Sequence, residues 1–260
     1  MKNEALAKWQ SGAFSVGAWI NLPDLHIAET LARMDFDWLC FDLQHGLLSY
    51  SHLLALIPAI SATRATPLVR VADAQAAGIG RALDAGAHGV IVPMVDTADQ
   101  AAQAAAACRY PPLGTRSCGP MRGLLTDGMG YLASANREVA CIAMIETARG
   151  LDNVEAIAAT EGLSALFVGP VDLCFGLGIA PGDFGNPAFV KAITRIVAAA
   201  REAGIAAGLF GYSPESVATA KDQGFAFASA GTDIAFLRKG AADALAIARG
   251  EPARATRGGY

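Results

Sequence analysis

"WLCFDLQHGLLSYSHLLALIPAISATRATPLVRV", residues 38–71, contains one complete strand–helix–strand cycle. It opens on an apolar run at 38–43, too short for a helix and rich in the side chains that favour a strand. Ser49, an N-cap residue type, precedes a helix-like segment at 50–61, and a second apolar run follows at 66–71. Runs that are apolar throughout, rather than alternating, belong to strands buried on both faces. That is the signature of a parallel sheet covered by helices.

The same cycle extends in both directions. Apolar runs at 15–20, 89–94, 141–146, 165–170, 206–210 and 225–230 join these two to make eight strands. Helix-like segments at 24–34, 74–85, 97–107, 150–160, 187–203, 213–223 and 232–248 accompany the one at 50–61. Eight such units predict an α/β protein built as a (β/α)₈ TIM barrel, a single domain over residues 1–250. An open doubly wound sheet is the competing arrangement. Residues 251–260 carry no periodicity and are expected to fray. The stretch 108–140, rich in Gly, Pro and Arg, reads as an enlarged loop after the fourth strand and a candidate lid.

Composition narrows the function classes. The 260 residues are 53% hydrophobic and 17% charged, enough apolar material for one large core. A net charge of −4, with Lys and Arg scattered, speaks against a nucleic-acid partner. The first ten residues hold no apolar h-region, and the most apolar window, 162–180, is interrupted by Pro170 and Asp172, so it reads as a strand and loop rather than a membrane span. Five cysteines with no C-x-x-C pair suggest a reduced, cytoplasmic protein.

The strand ends carry the chemistry. Asp42, Gln44 and His45 close the second strand, Arg70 the third and Glu146 the fifth, while Asp172 follows the sixth. In a barrel these ends share one mouth. Two carboxylates in an apolar mouth must share either a proton or a cation. With the Gly169-Pro170 turn nearby, oxygen donors favour a hard divalent ion, Mg²⁺ or Mn²⁺ before Co²⁺ or Zn²⁺. The lysines, at 2, 8, 191, 221 and 239, avoid the strand ends, which argues against Schiff-base chemistry.

"FDWLCFDLQHGLLSY" (36–50), "PLVRV", "DAGAHGVIVPMVDTADQA", "RYPPLGTRS", "AMIETARGLDNVEAIAATEGLSALFVGPVDL" and the seventh-strand "GLF", in this order over residues 10–248, resemble the HpcH/HpaI aldolases, metal-dependent class II pyruvate aldolases. The resemblance implies retro-aldol cleavage of 4-hydroxy-2-oxoacids to pyruvate, or a related 2-oxoacid, and an aldehyde. It implies that Glu146 and Asp172 hold the metal, that Arg70 binds the keto or enolate oxygen, and that His45 moves protons with Asp42 in its hydrogen-bond network. Asp84 matches an acidic position that can reach the site from a neighbouring subunit. Trp19, Phe210 and the turn formed by Gly169, Pro170 and Val171 are expected to line the substrate pocket. The family's usual assembly is a hexamer, a trimer of dimers that exchange a terminal helix. The chain departs from the pattern at Gln44, where some members have Glu, and at Met144, where better-known members have Gln. Both changes bear on acceptor preference. A coenzyme A thioester lyase and a non-catalytic 2-oxoacid-binding barrel are the alternatives. Arg116, Ser117 and Arg122 are candidates to grip an acceptor carboxylate, whereas His26, His52 and His88 read as structural.

Overall fold

The computed structural model describes residues 1–211 and 214–251. Eight parallel strands close on themselves in chain order, β1 to β8. They are β1 Ser15–Ile20, β2 Trp38–Asp42, β3 Thr66–Arg70, β4 Gly89–Val92, β5 Ala140–Ile145, β6 Ala165–Val168, β7 Ala206–Leu209 and β8 Phe227–Thr232. The closed (β/α)₈ barrel is the expected architecture, and the open sheet is excluded. The last strand lies two residues later than the sequence predicts, and the others agree within two residues.

The helices are α1 Glu4–Gln10, α2 Leu25–Ala32, α3 Tyr50–Ile60, α4 Ala76–Asp84, α5 Ala98–Cys108, α6 Met121–Asp127 and α7 Gly130–Glu138. They continue with α8 Ala148–Asp152, α9 Val154–Ala158, α10 Pro170–Gly176, α11 Pro187–Glu202, α12 Pro214–Ala220 and α13 Asp233–Ala248. The expected helix at 150–160 is split at Asn153 into α8 and α9. The tail from 252 onward lies outside the described residues.

Strand parity separates two cores. Inside the barrel pack Trp19, Trp38, Cys40, Leu68, Ile142, Met144, Phe167 and Phe227. Between barrel and helices pack their alternating neighbours, among them Leu39, Phe41, Val69, Cys141, Ala143 and Ile145. Helix α1 stoppers the amino end: Asn3 caps it by accepting from the Leu6 N–H, and Trp9 stacks on Phe227 with centroids 4.1 Å apart. The opposite, carboxyl-terminal end is therefore the open mouth.

One expectation is corrected. The stretch 108–140 is not a lid, because α5 has already carried the chain back from the mouth before it begins. Residues 109–139 connect α5 to β5 at the amino end and fold into α6 and α7. There the Met1 amine pairs with Asp127 at 2.8 Å, and the Arg122 side chain lies so close to Gly86 that a Cβ on that glycine would sit 2.7 Å from Arg122 Cγ. Two short helices set among glycines, prolines and arginines leave too little periodicity to be seen in the sequence.

Candidate active site

The first functional pair is fixed by strand register. Asp42 and Arg70 are the final residues of β2 and β3 and are register partners. Their parity continues the inward series Trp38, Cys40, Asp42 and Leu68, Arg70. Arg70 Nε donates to Asp42 Oδ1 at 2.9 Å and Arg70 Nη2 donates to Asp42 Oδ2 at 2.6 Å, a two-pronged buried ion pair. The guanidinium also lies over the Trp19 ring, 4.6 Å from its centroid. Trp19, fully buried, therefore contacts the site as the floor beneath Arg70, and Phe210 packs against its ring at 5.2 Å.

The polar cluster after β2 is a tight turn organised by the same carboxylate. Asp42 Oδ1 accepts from the backbone N–H groups of Gln44 (3.0 Å) and His45 (3.2 Å). Gly46 follows because a Cβ there would lie 2.3 Å from the Asp42 carbonyl oxygen. Asp42 thus meets His45 through the backbone, and its carboxylate is committed to Arg70. The His45 side chain is exposed, and among the described residues its imidazole has no hydrogen-bond partner. The neighbouring Gln44 Oε1 and Asn21 Oδ1 are buried acceptors that no protein donor reaches.

Glu146 and Asp172 form the second pair. Glu146 continues the inward parity of Ile142 and Met144, immediately after β5, and is buried. Its Oε1 accepts the Met94 N–H at 2.8 Å, and its Oε2 lies over Gly169, where a Cβ would be 2.4 Å away. Only glycine admits that approach. Burial pushes the Glu146 carboxyl up to about 7 and the charge of Asp172 pushes in the same direction, against the Met94 hydrogen bond and the Arg70 charge. Asp172 is half-buried in the first turn of α10, which starts at Pro170. That helix occupies a segment the sequence suggests is loop, because seven residues opening on Gly-Pro are too few to show a period. Pro170 is buried and Val171 half-buried beside Asp172.

A divalent cation fits this donor set. Neither Glu146 nor Asp172 is in a salt bridge among the described residues, and the Arg70 charge is offset by Asp42. With all four groups ionised, the mouth is left two charges negative. No group of three or more His, Cys, Asp or Glu side chains with metal-ligand geometry occurs among the described residues. Two carboxylate donors are the pattern of a hard oxygen-seeking ion.

Asp84 does not join this constellation within one chain. It closes α4 at the amino end of the barrel, where Arg116 Nη2 donates to it at 2.7 Å. Arg116 is buried there, also donating to the Tyr131 hydroxyl at 3.1 Å. Arg116 and Arg122 thus serve the α5–β5 connection rather than this chain's mouth.

Comparison with known proteins agrees with this geometry. Residues 15–239 match the HpcH/HpaI aldolase/citrate lyase family. The chain belongs to that family. Among HpcH/HpaI relatives, the hydroxypyruvate/pyruvate aldolase of Rhizorhabdus wittichii is 37% identical over 248 residues, covering 95% of this chain and 99% of that protein. The 4-hydroxy-2-oxovalerate aldolase of Novosphingobium aromaticivorans is 38% identical over 248 residues, covering 94% and 93%. A crystal structure of an HpcH/HpaI family protein from Burkholderia cenocepacia superposes with a TM-score of 0.89 at 34% identity, covering 95% of this chain and 100% of that one.

Proposed function

We propose that the protein is a class II pyruvate aldolase, cleaving 4-hydroxy-2-oxoacids reversibly to pyruvate or a related 2-oxoacid and an aldehyde. The observation that carries this reading is the pairing of a fixed guanidinium, Arg70 on Asp42, with two carboxylates, Glu146 and Asp172, that form no salt bridge among the described residues. Relatives that are named as pyruvate aldolases support it.

Glu146 and Asp172 would hold the metal, Mg²⁺ or Mn²⁺ before Co²⁺ or Zn²⁺. Bound there, the ion supplies Lewis-acid stabilisation to the keto oxygen of a 2-oxoacid. Arg70 offers a permanent charge whose direction Asp42 and Trp19 fix before substrate arrives, so no reorganisation is needed as the enolate charge develops. His45, exposed at the rim, carries the proton between the 4-hydroxyl and water. Gly169, beside Glu146, with Pro170, Val171, Trp19 and Phe210, would line the substrate pocket. Asp84 is assigned to a neighbouring subunit's mouth.

The same reading extends to assembly. Helix α13 buries only Asp233 and Ala246 and leaves Leu237, Leu245 and Ile247 exposed, which supports a homo-oligomer, a hexamer built as a trimer of dimers. Five free cysteines support a reducing, cytoplasmic setting. No helix among the described residues is long and apolar enough to cross a membrane.

The test is deuterium exchange into the methyl group of pyruvate, followed by NMR without any aldehyde. Exchange with Mn²⁺ or Mg²⁺, stopped by chelator and absent in Asp172→Ala, is expected. Exchange that persists after complete metal removal overturns the class II mechanism. Metal-loaded protein that neither exchanges pyruvate nor cleaves any 4-hydroxy-2-oxoacid favours a non-catalytic binding barrel, and turnover of coenzyme A thioesters alone favours a thioester lyase.

A further inference from the structure

The loop between β4 and α5, residues 93–97, lies beside Glu146 and is fastened to β5 and its following loop at successive residues. Met94 donates its N–H to Glu146 Oε1 at 2.8 Å, and Val95 donates to the Met144 carbonyl at 3.2 Å. Asp96 accepts the Thr147 hydroxyl at Oδ1 and the Asn153 side-chain amide at its carbonyl, the latter at 2.8 Å. Its own N–H goes to Gln100 Oε1 at 2.7 Å. Thr147 is itself held, accepting the Gly150 N–H at 2.8 Å as the N-cap of α8. Gly150 has no room for a Cβ, which would lie 2.7 Å from the Val95 carbonyl oxygen.

Met94 shows what the fastening achieves. Its φ of 55° is left-handed, and only one other non-glycine described residue, Asp35, has a positive φ. Such a backbone is strained for a side-chain-bearing residue and persists only where neighbours over-determine it. The turn aims the Met94 N–H at one oxygen of a buried carboxylate. Oε1 is thereby occupied, and Oε2 is left on the Gly169 side, toward the α10 turn that carries Asp172.

We infer that Asp96 and Thr147 are positioning residues, a side-chain latch that holds the strained Met94 turn so that its N–H fixes which oxygen of Glu146 is presented for metal binding. This rests on the assignment of Glu146 as a metal ligand. Neither residue touches metal or substrate. They act as outer-shell partners do, by orienting a ligand that would otherwise rotate.

Thr147→Val removes the hydroxyl at nearly constant volume, Thr147→Ser keeps it, and Asp96→Asn keeps an acceptor oxygen while removing the charge. In metal-free protein, hydrogen–deuterium exchange of the 93–97 segment is expected to accelerate in Thr147→Val and Asp96→Ala, while Thr147→Ser and Asp96→Asn stay near the parent. Calorimetric Mn²⁺ titration of the same proteins is expected to show roughly tenfold or more weaker binding in the first two variants and near-parent affinity in the second two. A folded Thr147→Val protein with unchanged loop exchange and unchanged Mn²⁺ affinity overturns the latch. Should Thr147→Val fail to fold, Asp96→Ala decides by the same two readings. If the parent protein binds no Mn²⁺, the metal assignment fails, and that result is separable because loop exchange still reports on the latch. A purely structural role would lower the melting temperature alike in all variants without the Ser and Asn rescue.

Discussion

Replacing Glu146 with glutamine should make the metal-free protein more stable, and more so as the pH rises. Burial holds the Glu146 carboxyl at about 7 against an ordinary value of 4.5. Its folded-state value is raised, so the folded protein binds the proton more tightly than the unfolded chain. The stability this gives is complete below about pH 4.5 and is lost as pH rises through 7. A difference of this size corresponds to about 3 kcal/mol at roughly 1.4 kcal/mol per unit. Glutamine is neutral at every pH and keeps an oxygen to accept the Met94 N–H. Denaturant unfolding in chelator should therefore give near-identical stabilities for the two proteins at pH 4 and a gap approaching about 3 kcal/mol in favour of Glu146→Gln at pH 8. Titrating groups that do not face Glu146 contribute equally to both proteins and cancel in the difference. Saturating Mn²⁺ should reverse the order, because only the parent retains both anionic ligands. A pH-independent gap, or a less stable variant at pH 8, would refute the premise that Glu146 is a desolvated carboxyl awaiting a cation.

Arg70→Lys keeps a charge but loses the two-pronged bond to Asp42, and retro-aldol kcat should fall by roughly 10- to 100-fold with the fold intact by circular dichroism. Gly169→Ala places a methyl 2.4 Å from Glu146 Oε2 and 2.7 Å from Met144 Cε, so Mn²⁺ affinity measured by calorimetry should drop by about tenfold or more. His88, half-buried at the amino end with its Nδ1 buried and unpartnered among the described residues, is held down to about 4 from 6.5 by burial. Its depressed value gives stability that is full above 6.5 and lost as pH falls through 4, so His88→Leu should flatten the acid limb of a pH–stability curve by up to about 3 kcal/mol.

The barrel and the placement of the polar residues at its strand ends are legible in the sequence because both depend on parity and repeat length. Trp38, Cys40 and Asp42 alternate inward, so an apolar run that finishes in an acid is a strand whose last inward residue has reached the mouth. Arg70 and Glu146 follow from the same count on β3 and β5. What could not be read depends on backbone conformation rather than side-chain pattern. Nothing in "VPMVD" announces that Met94 turns left-handed and delivers its N–H to Glu146. Asp96 and Thr147, separated by 51 positions, meet only because β4 and β5 are neighbours. The amino-end placement of 109–139 was missed for a related reason: composition marks a segment as irregular but does not say at which end of the barrel it lies.

The two carboxylate pairs answer differently to the same apolar surroundings. Asp42 is neutralised within the sheet, by an arginine that register places beside it, and its cost of burial is met by hydrogen bonds formed as the barrel closes. Glu146 has a backbone N–H and the Arg70 charge in its favour, which together do not offset its burial, so ionising it costs the folded state, and Asp172 adds to that cost. A fold keeps such a group only where something else restores the balance. A proton can do so below about pH 7, and a cation can do so above it. The proton leaves the group inert as a ligand, whereas the cation makes it a centre for charge that develops on a substrate. Arg70, held in its two-pronged bond to Asp42, lowers that cost without removing it, since the Glu146 carboxyl still stands at about 7. What remains is left to a proton or a cation.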